Sequence, residues 1–159
     1  MMVNSRNKGA RGERLFSNAM FELTGIESQR NLEQSRNGGH DLVGLPFAVE
    51  VKHYSTLTRS QIVGFWQQAL VQSQECGLPP ALAYKENRKP WKVRIPIALL
   101  YQGAWESQCE ECGEFHPPDW MDSFEYSIEL ELEGFAYICR EIVGMDAELE
   151  RMTKQMRTH

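Results

Sequence analysis

The sequence lacks any long apolar run, and this absence excludes several classes of protein. None of its 159 residues belongs to a hydrophobic stretch of the ~20 residues that cross a bilayer. The first residues, Met1-Met2-Val3-Asn4-Ser5-Arg6, include no apolar segment typical of a secretory signal peptide. Without such a signal, the four cysteines do not indicate a disulfide framework. Internal repeats and low-complexity segments are also missing. We therefore expect a cytoplasmic globular protein with an ordinary core.

The chain also lacks the overall positive charge that is typical of proteins that bind nucleic acids, since its net charge is −5. The charge is unevenly distributed, however. Residues 1–98 contain 13 Lys and Arg against 8 Asp and Glu, whereas residues 99–150 contain 1 basic and 14 acidic residues. A phosphate-binding surface is therefore compatible with the first part of the chain. The acidic part is expected to face away from a nucleic acid or to meet a partner.

What the sequence does contain is a predicted hairpin of two short strands joined by a turn at residues 44–46. Glu50 and Lys52 are two residues apart in the second strand, so both side chains leave the same face of it. If the hairpin is symmetric about the turn, Asp41 lies opposite Glu50, with their Cβ atoms about 5 Å apart.

Two carboxylates at that distance repel each other unless one is protonated or a cation lies between them. A hard divalent cation prefers oxygen ligands, and a lysine beside it can stabilise negative charge or hold an attacking water. The combination of Asp41, Glu50 and Lys52 favours metal-dependent hydrolysis of a phosphodiester. The alternative is that Asp41 ends a turn and that Glu50 and Lys52 are a solvated pair on a strand.

The flanking segments supply further charged candidates. A helix is predicted over residues 9–23, and Glu13 lies at the edge of its apolar stripe. A carboxylate there either serves the site or favours the positive end of the helix dipole, and both interpretations remain open. Basic residues with potential phosphate contacts are Lys8, Arg11, Arg14, Arg30, Arg36, Arg88, Lys89 and Lys92. The last three are also compatible with an ordinary solvated hairpin tip.

Other elements follow from local signals. A strand is predicted over residues 26–34, a helix begins at Thr58 with the capping-box partner Gln61, and it ends at Gly77. Strands are predicted over residues 81–84 and 91–95. One glutamine of the helix could reach the site, but the sequence does not tell which. The candidates are Gln67, Gln68, Gln72 and Gln74.

The last third contains a C-x-x-C pair. Cys109 and Cys112, with His116 four residues later, have the spacing of a zinc knuckle and could supply part of a zinc site that Cys139 or a partner subunit would complete. The alternative is two reduced cysteines in an acidic loop. Further on we expect a strand over residues 125–132, a partner strand over 135–140 and a terminal helix over 146–156.

The order of these elements resembles the PD-(D/E)XK nuclease superfamily, and within it the archaeal-type Holliday-junction resolvases and phage resolvase-like endonucleases. His40 occupies the place of the family's proline. The matching residues are Gly12-Glu13-Arg14, Arg30, Gly38-Gly39-His40-Asp41, Glu50-Val51-Lys52, Gly77-Leu78-Pro79 and Trp91.

The resemblance implies an α/β fold with a restriction-endonuclease-like core, a central mixed β-sheet flanked by helices, over residues 1–98. Residues 99–159 would be an acidic, Cys-containing extension packed on that core. Asp41, Glu50 and the Val51 carbonyl would bind Mg²⁺ or Mn²⁺, joined by Glu13 directly or through water. Lys52 would position the attacking water or steady the pentavalent phosphate, and the protein would be a homodimer.

The expected function is therefore metal-dependent endonuclease cleavage of DNA, in particular branched DNA of the Holliday-junction type. One alternative is another nuclease of the same superfamily that acts on duplex DNA or on DNA ends. The other is a non-catalytic DNA-binding or assembly protein on a nuclease scaffold.

Overall fold

The computed structural model of the protein describes residues 5–32, 39–100 and 123–157, with side chains from residue 9 onward. The helices are α1 (Ser5–Thr24), α2 (Arg59–Cys76) and α3 (Leu132–Arg157). The strands are β1 (Gln29–Arg30), β2 (Leu42–Val43), β3 (Ala48–Tyr54), β4 (Pro80–Glu86), β5 (Lys92–Pro96) and β6 (Ser127–Glu131). Short 3₁₀ turns span Ile97–Leu100 and Phe124–Tyr126. No helix within these ranges is both long and apolar enough to cross a membrane.

The strands form one mixed sheet in the order β1-β2-β3-β4-β5-β6. Only β3 and β4 pair in parallel, and the other described neighbours are antiparallel. A parallel pair needs a crossover connection, which α2 provides. The predicted α/β fold with a mixed sheet flanked by helices is therefore confirmed.

The ends of α2 follow the local signals of the sequence. Thr58 accepts a hydrogen bond from the backbone N–H of Gln61, whose side chain in turn accepts one from the Thr58 N–H. Gly77 adopts the left-handed conformation with φ 75°, and its N–H donates to the Ser73 carbonyl at 2.8 Å. Both predicted helix ends are confirmed.

The turn between β2 and β3 requires a glycine. Gly44 has φ 105°, and a Cβ at this position would lie 2.4 Å from the Glu27 carbonyl oxygen. Across this turn, Leu42 of β2 pairs with Val49 of β3. This pair is the one expected if Asp41 lies opposite Glu50.

Hydrophobic residues fill both sides of the sheet. On one side α1 and α3 cover it, and the Phe135 ring lies 6.4 Å from Phe16 and 5.0 Å from Phe47 between ring centroids. On the other side α2 places Trp66 against Leu82 and Tyr84. Packing on both faces fixes the position of β3 and β4 in the middle of the sheet.

Two predicted strands differ from the structure, one in kind and one in length. Residues 135–140 are part of α3 and do not form a strand, because the buried positions Phe135, Ala136 and Cys139 recur with helical spacing and Gly134 lies inside the helix. The predicted helix over residues 146–156 is the second half of the same α3. Of the predicted strand over residues 26–34, only Gln29–Arg30 is a strand among the described positions.

The acidic strand is joined to the rest of the sheet. β6 pairs with β5 along its whole length, from Lys92 opposite Glu131 to Pro96 opposite Ser127. The boundary placed at residue 98 between a core and an extension stays a prediction.

We expect Phe135→Ala to reduce the free energy of unfolding by about 3–5 kcal/mol, because it leaves a cavity between two aromatic rings. Tyr137→Ala, two residues away on the exposed side of α3, is expected to change it by less than about 0.5 kcal/mol. Urea denaturation followed by circular dichroism measures both. Equal effects of the two substitutions would contradict the packing of α3 on the core.

Candidate active site

A cleft of about 800 Å³ opens beside β3. β2 covers only the beginning of β3, so the second half of β3 has no described strand on that side. The Glu13, Asp41, Glu50 and Lys52 side chains line this cleft together with Val51. The remaining lining residues are Gly9, Arg11, His53, Tyr54, Ser55 and Asn87.

Glu50 is the most enclosed of three buried carboxylates in the cleft. The exposed fractions are 4% for Glu50, 6% for Asp41 and 8% for Glu13. Lys52 Nζ lies 2.5 Å from Glu50 Oε1, and Gln72 Nε2 of α2 donates to Glu50 Oε2 at 2.5 Å. Both oxygens of the buried carboxylate are therefore matched by donors, as burial of a charge requires.

Asp41 is oriented by the strand beside it. The backbone N–H of Val51 donates to Asp41 Oδ2 at 2.7 Å, and the Asp41 N–H donates to the Val49 carbonyl at 2.9 Å. These bonds direct the carboxylate toward β3, on which Glu50 lies in the opposite register position. Carboxylate and carbonyl oxygens are the ligands that Mg²⁺ and Mn²⁺ prefer, so the donor set of Asp41, Glu50 and Val51 fits such an ion.

Glu13 comes from the other side of the cleft. Its carboxylate forms an ion pair with Nε of Arg30 on β1. α1 approaches β3 closely at this point, since a Cβ on Gly12 would lie 3.1 Å from the His53 Cβ. No three His, Cys, Asp or Glu side chains in the described parts of the chain are arranged to hold one ion together. Glu13 therefore lines the same cleft as Asp41 and Glu50, but the three described carboxylates do not form one ligand cluster.

The ammonium group of Lys52 is held between an acid and an aromatic ring. Besides its contact with Glu50, Lys52 Nζ lies 4.9 Å from the centroid of the Phe65 ring on α2. The same ring stacks on Tyr54, with centroids 5.5 Å apart. These contacts place a positive charge at a defined position beside the carboxylates.

Comparison with known proteins identifies the family of this chain. Residues 4–112 match a family described as "Phage putative PDDEXK endonuclease". The chain belongs to this family of nucleases. It is also 29% identical over 116 residues to Protein D14 of Escherichia phage T5, covering 60% of this chain and 72% of that protein.

This chain is also similar to one solved structure. It is Hjc, a Holliday junction resolvase from Archaeoglobus fulgidus, at 16% sequence identity and a TM-score of 0.41. The match covers 85% of this chain and 98% of the resolvase.

Two histidines, His40 and His53, lie close in sequence to Asp41 and Glu50. Burial lowers the pKa of His40, and its Nδ1 has no hydrogen-bond partner among the described residues. Burial also lowers the pKa of His53, as do the nearby charges of Lys85 and Arg11, against a hydrogen bond to Asn87 that raises it. Neither histidine is needed as a cation for the contacts described above.

The basic residues expected to contact DNA lie in different environments. Arg11 is exposed and lines the cleft, and Arg14 is exposed on the same helix. Arg30, in contrast, is paired with Glu13. In the hairpin between β4 and β5, Arg88 is exposed at the tip, with φ 63°. Of these four, Arg11 is the one that lines the cleft.

Two lysines of that hairpin, both expected to contact DNA, are already paired with acids. Lys89 forms an ion pair with Glu86, and Lys92 with Glu131. The acidic partners compete with phosphates for these ammonium groups.

Several predicted residues lie outside the described structure. They are the side chain of Lys8, Arg36, and the three zinc candidates Cys109, Cys112 and His116. Cys139, considered as a fourth zinc ligand, is buried on the core-facing side of α3, and burial raises its thiol pKa to about 12. A thiol in this environment is poorly suited to metal binding, which needs the thiolate.

Gln72 is the site residue that the sequence did not single out. It follows the buried residues Trp66 and Ala69 on the inner side of α2, three residues after Ala69. Gln68, four residues earlier, is its neighbour along the helix but is exposed, whereas Gln72 is half-buried. Since a carboxylate only accepts hydrogen bonds, Gln72 must present its NH₂ group to Glu50, and its own Oε1 is buried without a described partner.

We expect Gln72→Ala to raise the Mg²⁺ or Mn²⁺ concentration needed for half-maximal binding or activity by about 10–100-fold, because Glu50 loses the group that orients it. Calorimetric titration with Mn²⁺ gives a measurement that does not depend on cleavage. The control is Gln67→Ala on the exposed side of α2, which should leave metal affinity unchanged. Equal metal affinity in Gln72→Ala and the wild type would refute a positioning role.

Proposed function

We propose that this chain is a metal-dependent DNA endonuclease that hydrolyses phosphodiester bonds, with branched DNA as the preferred substrate. The observation that carries the proposal is the convergence of Glu13, Asp41, Glu50 and Lys52 on one open cleft. Membership of a PDDEXK endonuclease family supports the chemistry. The preference for branched DNA is supported by the order of motifs, which resembles that of archaeal-type junction resolvases.

In the proposed reaction Asp41, Glu50 and the Val51 carbonyl would hold Mg²⁺ or Mn²⁺, and Glu13 would join them directly or through water. Such an ion lowers the pKa of bound water and neutralises charge on the phosphate. Lys52 orients the attacking water or stabilises the negative charge of the pentavalent phosphate. Gln72 and Phe65 keep Glu50 and Lys52 in place while this happens.

The substrate backbone would enter along the α1 side of the cleft. Arg11 lies there beside Gly9, and Arg14 is one helical turn further along. A guanidinium group is well suited to contact phosphate oxygens. We also propose that the enzyme acts as a homodimer, because two symmetric copies would bring two such clefts to the two strands of a junction.

Glu50→Gln, Asp41→Asn and Lys52→Ala are each expected to lower the rate of cleavage by at least ~10²-fold, because each removes a group at the reacting phosphate. The test uses a labelled four-way junction, a duplex of the same sequence and a single strand, each with Mg²⁺, with Mn²⁺ and with EDTA. Glu22→Gln, an exposed carboxylate on α1, is the matched control.

The substrates distinguish the alternatives. Cleavage of the junction well above the duplex supports the proposal, and equal or greater cleavage of duplex or ends identifies another nuclease of the superfamily. Tight DNA binding without metal-dependent cleavage would identify a non-catalytic DNA-binding protein. Full cleavage by Glu50→Gln would move the chemistry to another part of the chain.

Arg11→Gln is expected to weaken junction binding without divalent metal and to reduce the slope of log affinity against log salt by about 1. Lys92→Gln should have a smaller effect, because its ammonium group is already paired with Glu131. Fluorescence anisotropy at several salt concentrations measures both. A larger effect of Lys92→Gln would place the DNA on the β5 side of the molecule.

A further inference from the structure

Tyr54 adds an aromatic ring to a cleft that is otherwise lined mainly by charged and polar groups. It is the last residue of β3 and follows Glu50 and Lys52 at steps of two, so all three side chains leave the same face of the strand. The rise of a strand places Tyr54 about 7 Å beyond Lys52. Tyr54 is 41% exposed. Exposure alone needs no explanation, but this ring lies one step along β3 from the candidate catalytic groups.

Phe65 of α2 supports the Tyr54 ring from behind. The two rings stack, with centroids 5.5 Å apart and planes inclined by 23°. The same Phe65 ring lies 4.9 Å from Lys52 Nζ, so it fixes Tyr54 and Lys52 relative to each other. Because Phe65 contacts one face of the Tyr54 ring, the exposed area belongs to its other face and its edges. A ring that is already held by packing loses little conformational entropy when a ligand packs on it.

The charges around Tyr54 are compatible with an anionic chain. Arg11 is exposed on α1 and lines the same cleft. The acidic neighbour is Glu86, the register partner of Tyr54 in β4. Its carboxylate accepts a hydrogen bond from the Leu57 N–H at 2.8 Å and forms an ion pair with Lys89. Glu86 therefore repels a phosphate near Tyr54 less than a carboxylate without partners would.

An exposed aromatic ring close to basic groups is the arrangement on which proteins stack nucleobases. In a duplex, successive base pairs are about 3.4 Å apart, so the faces of each base are covered by its neighbours. A base must leave that stack before it can pack on Tyr54. Leaving costs least where the base is already unpaired or poorly paired. A ring in this position therefore favours DNA that has unstacked bases over a continuous duplex.

We propose that Tyr54 stacks on a DNA base that has left the duplex next to the scissile phosphate, and that it is a specificity-determining residue. The inference rests on the proposed nuclease function and deepens it, because it names the feature of branched DNA that the cleft recognises. Stacking on Tyr54 holds the adjoining phosphate one step back along β3, beside Lys52. Phe65 supports both side chains during this contact.

Abasic nucleotides test the stacked base directly. The probes are four-way junctions in which the nucleotide one, two or three positions from the branch point is abasic in all four strands. Fluorescence anisotropy in EDTA measures binding without cleavage. For the wild type, at least one abasic position should weaken binding about tenfold, because the phosphate remains and only the base is lost. Equal binding of every abasic junction and the intact junction would overturn the proposal, and this result needs no variant.

Substitutions at position 54 assign the lost affinity to the ring. Tyr54→Leu should bind the intact junction about tenfold more weakly than the wild type and should no longer distinguish it from the sensitive abasic junction. Tyr54→Phe keeps the ring and should retain the discrimination. Tyr137→Leu, at a 56% exposed aromatic residue of α3, is the matched control and should behave like the wild type. An abasic effect in Tyr54→Leu as large as in the wild type would contradict the proposal, as would its loss in Tyr54→Phe.

A duplex of the same sequence separates recognition of a base from support of the cleft. Tyr54→Leu should bind this duplex as the wild type does, so the preference for the junction over the duplex falls. Equal loss of affinity for both DNA forms would make Tyr54 a structural support and overturn the inference.

Cleavage assays separate this inference from the proposed nuclease function. Binding that is sensitive to the abasic position, without any metal-dependent cleavage by the wild type, would refute the nuclease function and leave the base contact at Tyr54. Metal-dependent cleavage by a wild type that ignores every abasic position would refute the base contact and leave the nuclease function.

Discussion

Burying the carboxylate of Glu50 while keeping both of its oxygens hydrogen-bonded is the constraint on which the candidate site depends. An unpaired buried charge costs several kcal/mol, so the surrounding elements must supply donors. Lys52 comes from the same strand, two residues on, and Gln72 comes from α2. The crossover helix that makes β3 and β4 parallel therefore also completes the site. Moving α2 by one turn along its axis would remove the amide from Glu50 and the Phe65 ring from Lys52.

The second carboxylate depends on the backbone of the hairpin. The Val51 N–H donates to Asp41 in the same register that pairs Leu42 with Val49, so strand pairing and orientation of the carboxylate cannot be separated. Gly44 makes this register attainable, because any side chain there would collide with the backbone at Glu27. The sheet thus serves as the rigid support that a site of several charged groups requires.

What could be predicted from the sequence was determined by contacts between residues close together in the chain. The alternation of β3, the capping box at Thr58 and the turn before β3 all depend on neighbours within about five residues, and the fold class followed from them. Gln72 could not be selected from four glutamines, because its role depends on how α2 packs on the sheet. The strand predicted over residues 135–140 was wrong because Gly134 resembles a turn signal, whereas packing of Phe135 on two aromatic rings stabilises a helix through it.

The acidic last third changes how the basic first part should be interpreted. Counting charges along the chain suggests a broad phosphate-binding surface up to residue 98. In the folded protein, β6 lies beside β5, and Glu129 and Glu131 pair with Arg94 and Lys92 across the sheet. These two basic side chains are therefore paired with acids, whereas Arg11 lines the cleft beside β3. If the chain binds DNA as proposed, the acidic strand would weaken phosphate contacts at β5, and a strand of polar, uncharged residues in its place would leave Lys92 and Arg94 available for them.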